Sequence, residues 1–342
     1  MPAYIVRRLL SGVLMLFGIT LVTFAIFRLI PLPPGCLLVP CGPNTFTNDA
    51  QIRAAGHKLG TDRPVPVQYA KFVWRIVRHG SFGASWTGGS IDESLRSSLP
   101  TTASILAGGI VILLLLAIPL GALSALHSQT PIDRAVLFFA LFGIALNPFV
   151  LGFGLTKLFT QYLHLTPYGG YCHLLPVKPP PLPPNTPPGA IPQPCGGPLP
   201  WAHHLILPWL TFALFFLPLY TRMIRARFLE TLDTQYVTAA RGRGVSEFRL
   251  MRSHALRPAL VPLVTMVGLD LGGALMACIY IETIYRMSGI GSLMLAAFQT
   301  NAATYDLPLI AAVFFVIAAF AIFVTFVVDI LYAWLDPRVR IA

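Results

Sequence analysis

Residues Thr101 to Leu126 read TTASILAGGIVILLLLAIPLGALSAL, a run without one charged side chain. As a helix rising 1.5 Å per residue it would be about 39 Å long, more than the ~30 Å hydrocarbon core of a bilayer. Five more runs of this kind follow or precede it: Leu9–Ile30, Ala135–Tyr162, His203–Met223, Ala259–Tyr285 and Leu307–Leu335. Across all 342 residues, 55% are hydrophobic and only 11% charged, against about 25% charged in an ordinary soluble domain. That balance excludes disorder, which needs low hydrophobicity and high charge. It also excludes a free soluble enzyme. A closed β-barrel would show short alternating segments, whereas these runs are continuous. The sequence predicts an all-α polytopic membrane protein with six transmembrane helices in a single domain, 1–342. Prolines at Pro119, Pro148, Pro208, Pro218, Pro262 and Pro308 fall in or beside the runs, where neighbouring helices satisfy the freed carbonyls.

Lysine and arginine bias sets the orientation. With the N-terminus inside, thirteen of the positive residues fall on the cytoplasmic side, eight of them between Arg222 and Arg257. The short outer loops carry Lys178 and Arg286. Both termini are therefore expected inside, and the first run is read as a retained span rather than a cleaved signal. The net charge is +11, and eight of the arginines sit in one polar stretch between two apolar runs. That pattern suits a cytoplasmic loop, and no nucleic-acid partner is expected.

Three loops stand out. The first, 31–100, is extracytoplasmic and expected to be structured. Asn48 with Gln51 resembles a capping box and Gly60 a helix end. Tyr69, Phe72, Val73, Ile76 and Val77 follow helical spacing with Lys71, Arg75 and Arg78 between them. Such a helix lies on the bilayer or packs on the protein's own outer face. Ser90 and Glu93 form a second capping pair. The second outer loop, 163–202, holds twelve prolines between Pro176 and Pro200 and favours extended polyproline II. It is a spacer or a docking surface. The third loop, 224–258, is cytoplasmic.

Four of the five cysteines lie outside the membrane, Cys36 and Cys41 in one loop, Cys172 and Cys195 in the other. Two disulfides in an oxidising compartment follow, out of three possible pairings. The within-loop bridges Cys36–Cys41 and Cys172–Cys195 are preferred. No histidine or cysteine spacing suits a metal. There is no phosphate-binding P-loop and no nucleophile elbow, so no catalytic residue and no cofactor are assigned to this chain.

Two acids fall inside the fifth run. An aspartate at a helix centre costs about 2.5–3.5 kcal/mol on a translocon scale, so an intramembrane acid is a candidate for the transport path. Asp270 lies near the middle and Glu282 near the outer end, about 18 Å further along and turned by 120°. Alternatively each is a structural partner of another helix. A proton-coupled secondary transporter using Asp270 and Glu282 is the competing reading. It usually carries internal repeats, and none is evident.

The densest signal is the inner loop from Tyr236 to Glu247, YVTAARGRGVSE, continuing to Pro262. Leu229 to Arg241 can be helical, Gly242 and Gly244 permit a sharp bend at positive φ, and Ser246 can cap a second short helix. Ala239 and Ala240 leave no bulk, so a partner can approach closely. The bland reading is a basic loop on anionic lipid.

This loop resembles the EAA coupling motif of ABC importer permeases, most of all the dipeptide/oligopeptide/nickel group. The resemblance extends over nearly the whole chain. Tyr4-Ile5-Val6-Arg7-Arg8-Leu9-Leu10 opens it and Arg28-Leu29-Ile30-Pro31 closes the first helix. Leu59 to Tyr69 follows in the first outer loop and Leu207-Pro208 before the coupling loop. Glu282-Thr283-Ile284-Tyr285 with Gly289-Ile290-Gly291 comes next, then Asp329 to Arg340 at the end. Departures are Asp270 where glutamine is common, Arg286-Met287-Ser288 in place of an aromatic-and-proline stretch, and the long proline-rich loop. The resemblance implies a type I ABC importer permease in a bacterial inner or plasma membrane. A homologous second permease would complete the path. Two ATPase subunits, or one fused ATPase, would bind ATP and Mg, and an extracytoplasmic substrate-binding protein would deliver ligand. It puts Ala239, Ala240, Arg241, Gly244 and Val245 at the coupling core and makes the chain non-catalytic. Peptides lead as cargo, ahead of nickel complexes and oligosaccharides.

Overall fold

The structure is a computed structural model describing residues 2–29, 64–85, 89–167, 169–175, 195–250, 256–298 and 306–335. The described chain is helical: α1 (Pro2–Leu29), α2 (Val65–His79), α3 (Ile91–Leu126), α4 (Pro131–Ala145), α5 (Pro148–Leu155) running into a π-helix (Thr156–Tyr162), α6 (Pro198–Leu232), α7 (Gln235–Gly242), α8 (Glu247–Leu250), α9 (Leu256–Ile284), α10 (Ile290–Phe298) and α11 (Leu307–Leu335). Among the described residues, α3, α6 and the Pro308–Val328 part of α11 are long and apolar enough to cross a membrane. The α4 and α5 segments make a fourth crossing when counted together, while α1 and α9 contribute shorter apolar stretches, Leu10–Ala25 and Gly272–Ile284. The pair Cys36 and Cys41 and the capping signal at Asn48, Gln51 and Gly60 lie outside the described residues.

One expected span is bent. Ala135–Tyr162 reads as a continuous run, yet α4 meets the segment after it at 104°. The cause is local. Asn147 precedes Pro148, whose ring drives its neighbour out of the helical region, and Asn147 sits at ψ 141°. Its side chain then accepts from the Phe149 amide at 2.9 Å and caps the new helix.

The chain divides into two compact units, Met1–Pro100 with Gly289–Ala342, and Thr101–Ser288. In the first, α1 packs along α11, and Gly12 makes room: a Cβ there would stand 2.9 Å from the Ile322 side chain. Ile91 and Leu95, at the start of α3, form a core with Ile290, Ala297, Ile310 and Val313. Asp306 caps α11 through the Leu309 amide at 3.3 Å and accepts from the Ser85 hydroxyl. Ser90 stands 3.4 Å from the Glu93 amide at the head of α3.

In the second unit α6 is the hub against which α4, α5 and α9 pack. Its approach to α3 depends on three glycines. Gly108, Gly109 and Gly121 lie against Trp209, Phe212 and Ile224, and a Cβ at Gly109 would stand 2.6 Å from the Phe212 ring. Small residues at such crossings let backbones come close, which is how helices associate without a hydrophobic drive. Gly109→Val should therefore cost about 2 kcal/mol through overpacking. The expected readout is a clear drop in the thermal unfolding temperature of the solubilised protein. An unchanged unfolding temperature would show that the crossing is looser than drawn.

Candidate functional site

Helix α6 extends past its apolar part into Arg222, Arg225, Arg227 and Glu230 and stops at Asp233. A tight turn follows. The Thr234 hydroxyl donates to the Thr231 carbonyl, and the Val237 and Thr238 amides donate to the Thr234 carbonyl at 3.1 Å, which starts α7. Helix α7 ends as the Arg243, Gly244 and Val245 amides turn back on the Ala240 and Arg241 carbonyls. Gly244 adopts φ +79°, the left-handed region that glycine enters freely. Gly242 stays in the last turn of α7, so one glycine makes the bend where the sequence offers two. The Leu250 amide donates to the Ser246 carbonyl at 2.9 Å to close α8.

The result is a two-helix knob. Val237 and Leu250 point inward and are fully buried. Tyr236, Ala239, Arg241, Gly242, Arg243 and Gly244 are exposed, with Ala240 and Val245 half-buried. The outer surface is therefore small-sided and basic, held by two apolar anchors.

A second feature fixes the end of α6 ahead of the knob, and sequence reading missed it. Arg225 grips Asp133 with both prongs, Nε to Oδ1 at 2.6 Å and Nη2 to Oδ2 at 2.7 Å. Asp133 also accepts from the Ser124 hydroxyl and from the Gln129 amide at 2.9 Å. The end of α3, the start of α4 and the lower part of α6 are thus pinned together, ten residues before α7. The only advance signal was a lone acid beside Pro131 in a positive loop.

The two acids of α9 part company. Glu282 is fully buried and accepts from the Thr102 hydroxyl at 2.6 Å, which ties α9 to α3. In this conformation it is enclosed by protein. Asp270 lies in an apolar cleft with Ile110, Leu113, Phe212, Phe216, Tyr220, Val267 and Ala274. The Tyr220 hydroxyl faces its carboxyl. Among the described residues its buried Oδ2 has no hydrogen-bond partner. Along the same helix Leu269, Gly272, Gly273, Met276 and Tyr280 form an exposed stripe, and the last three of these border a cleft at the α4–α5 bend with Asn147, Pro148 and Phe215.

In the loop between the π-helix and α6, Cys172 and Cys195 are joined in a disulfide, with Cα atoms 4.9 Å apart. A bridge between His173 and Gly196 lies beside it, and the proline-rich residues 176–194 lie outside the described residues. His204 Nδ1 stands 3.3 Å from the Cys172 sulfur. These three residues group their ligand atoms within 4.8 Å, but sulfurs shared in a disulfide offer no thiolate to a metal.

Two family profiles match this chain. One, described as a binding-protein-dependent transport system inner membrane component, covers residues 117–341. The other, its N-terminal membrane component, covers residues 1–106. The chain therefore belongs to the family of inner-membrane components of binding-protein-dependent transport systems. Within that family it is 34% identical to the probable D,D-dipeptide transport system permease protein DdpB of Escherichia coli, over 96% of this chain and 94% of that one. It is 30% identical to the oligopeptide transport system permease protein AppB of Bacillus subtilis, over 99% and 100%. A putative peptide permease protein of Brucella suis matches at 31% over the full length of both. Among solved structures, an inward-facing MetNI methionine ABC transporter chain aligns over 69% of this chain and 94% of that one. Its TM-score of 0.49 at 14% identity is below what assigns a fold.

Asp133→Ala leaves Arg225 half-buried and unpaired, so it should destabilise the second unit by about 3 kcal/mol. Replacing both, Asp133→Ala with Arg225→Met, should recover much of that loss. Thermal unfolding of the three forms in detergent measures it. Equal stability of the single variant and the parent would remove the brace from the account.

Proposed function

We propose that this chain is one permease of an ATP-driven importer, and that with a homologous second permease it forms a path for dipeptides and oligopeptides. The observation that carries the reading is the α7–α8 knob. It is small-sided and basic, and α6, tied to α3 and α4 by Arg225 and Asp133, joins it to the apolar core. The peptide-permease names of relatives aligned end to end support the cargo.

In this reading the exposed face of α7, with Ala239, Ala240 and Arg241, and the Gly244–Val245 turn seat in a cleft of an ATPase subunit. Closure of two ATPase domains on ATP and Mg pushes the knob, and the Arg225–Asp133 brace passes the motion to α3, α4 and α6. A separate binding protein delivers peptide on the outer side, with both termini of this chain in the cytoplasm. The stripe Leu269, Gly273, Met276 and Tyr280 faces the second permease across the path. Asp270 is the path group: its unpartnered carboxylate oxygen receives the peptide ammonium in passage. Glu282 serves as a structural tie through Thr102.

The assembled importer in proteoliposomes tests both roles. Asp270→Asn should slow uptake of a free-amine dipeptide roughly tenfold and leave an N-acetylated one nearly unaffected. Tenfold is well inside the ~4 kcal/mol of a 4 Å charge pair at an effective dielectric of 20. Equal slowing of both peptides would take the ammonium role from Asp270. Gly244→Val forces a β-branched residue into the left-handed region, at a cost of about 1–2 kcal/mol. ATP hydrolysis should continue while uptake falls several-fold. Fully coupled transport in that variant would contradict the knob's role.

A further inference from the structure

Helix α2 has two faces of different chemistry. One is bound to α1. The Tyr69 side chain is buried there, its hydroxyl hydrogen-bonded with that of Thr20 at 2.9 Å and donating to the Phe17 carbonyl at 3.2 Å. The Tyr69 ring packs on Phe17 and Phe24, and Phe72 stacks on Phe24. The opposite face carries Val67, Lys71, Trp74 and Arg78 at i, i+4, i+7 and i+11, one stripe of a helix, all exposed. Trp74 is 59% exposed and Val77, beside the stripe, 75%. The Arg78 guanidinium stands 5.4 Å from the Trp74 ring. Arg75 folds against the turn at Gly83, where a Cβ would overlap its guanidinium, so Lys71 and Arg78 are the outward cations. The fifteen residues of α2 contain no acid.

An exposed indole and valine would be a liability in water, and the cations of this acid-free helix repel each other. Both problems vanish at the headgroup level of a bilayer. There tryptophan sits with its ring at the apolar boundary, and lysine and arginine meet lipid phosphate. The surroundings agree, because α1 itself exposes Leu10, Val13, Leu14 and Met15. We propose that the outer stripe of α2 is a binding surface for acidic phospholipid headgroups. Lys71 and Arg78 hold the phosphate, Trp74 and Val77 enter the acyl boundary, and the Tyr69–Thr20 contact anchors the helix to α1. The charge complementarity commits the face to anionic lipid, which holds whichever side of the membrane α2 occupies.

Photoactivatable phosphatidylglycerol and phosphatidylcholine, each incorporated into nanodiscs around the full assembled importer, test this directly. After illumination, proteolysis and mass spectrometry locate the label. The phosphatidylglycerol probe should mark the 65–79 segment in preference to phosphatidylcholine. Labelling should fall roughly thirtyfold in Lys71→Gln with Arg78→Gln, equal to two cations near an anionic surface at about 1 kcal/mol each. The charge-keeping swap, Lys71→Arg with Arg78→Lys, should retain it, which separates charge loss from misfolding. Equal labelling by the two lipids, or labelling unmoved by the double glutamine variant, would overturn the proposal. So would an α2 that no lipid marks but whose Lys71 is shielded from acylating reagent in the importer; that result assigns the face to an acidic protein surface.

Discussion

Hydrocarbon offers no hydrogen bonds, and polar groups placed near it must find partners within the chain. The second unit obeys this constraint almost everywhere. Glu282 takes the Thr102 hydroxyl, and the Tyr285 hydroxyl meets that of Thr211 at 2.7 Å. Trp209 donates to the Ser104 carbonyl at 2.8 Å, and Asn147 satisfies the helix that starts at Pro148. Asp133 has four donors from three elements. Against that background two buried side-chain oxygens of the described residues lack a partner, Thr221 Oγ1 and Asp270 Oδ2. A carboxylate oxygen left without a donor in an apolar cleft is costly.

The same constraint shapes the helix contacts. Without a hydrophobic drive between helices, close packing has to hold them, and Gly108, Gly109 and Gly121 supply the space on α3. Helix α6 then carries three functions along one rod. Its apolar part packs on α3, Tyr220 faces Asp270, and Arg225 locks to Asp133 just before the chain turns into α7.

Much of this was legible in the sequence because it depends on local pattern. Uncharged runs gave the helical membrane class, and the small and glycine residues around Ala239 and Gly244 gave the knob. Partnerships across the chain were not legible. Arg225 and Asp133 are 92 residues apart, and Thr102 and Glu282 are 180 apart, so neither pair has a local signature. The break at Asn147-Pro148 was hidden by a general tolerance. Proline is common inside spans, and only the capping side chain before it turned the tolerated residue into a helix start. Between Gly242 and Gly244, composition could not choose, since backbone hydrogen bonds to Ala240 and Arg241 fix which one turns left-handed.

The central claim is that the α7–α8 knob couples this chain to ATPase subunits. Gentle purification of the tagged full-length chain from its native membrane, with identification of every co-purifying protein, tests it most directly. The account predicts a second permease together with subunits carrying phosphate-binding P-loops, and it predicts that replacing Ala239 and Ala240 with bulky residues releases the ATPase subunits while the second permease stays. A stable chain recovered alone, with peptide uptake driven by a proton gradient, would contradict it.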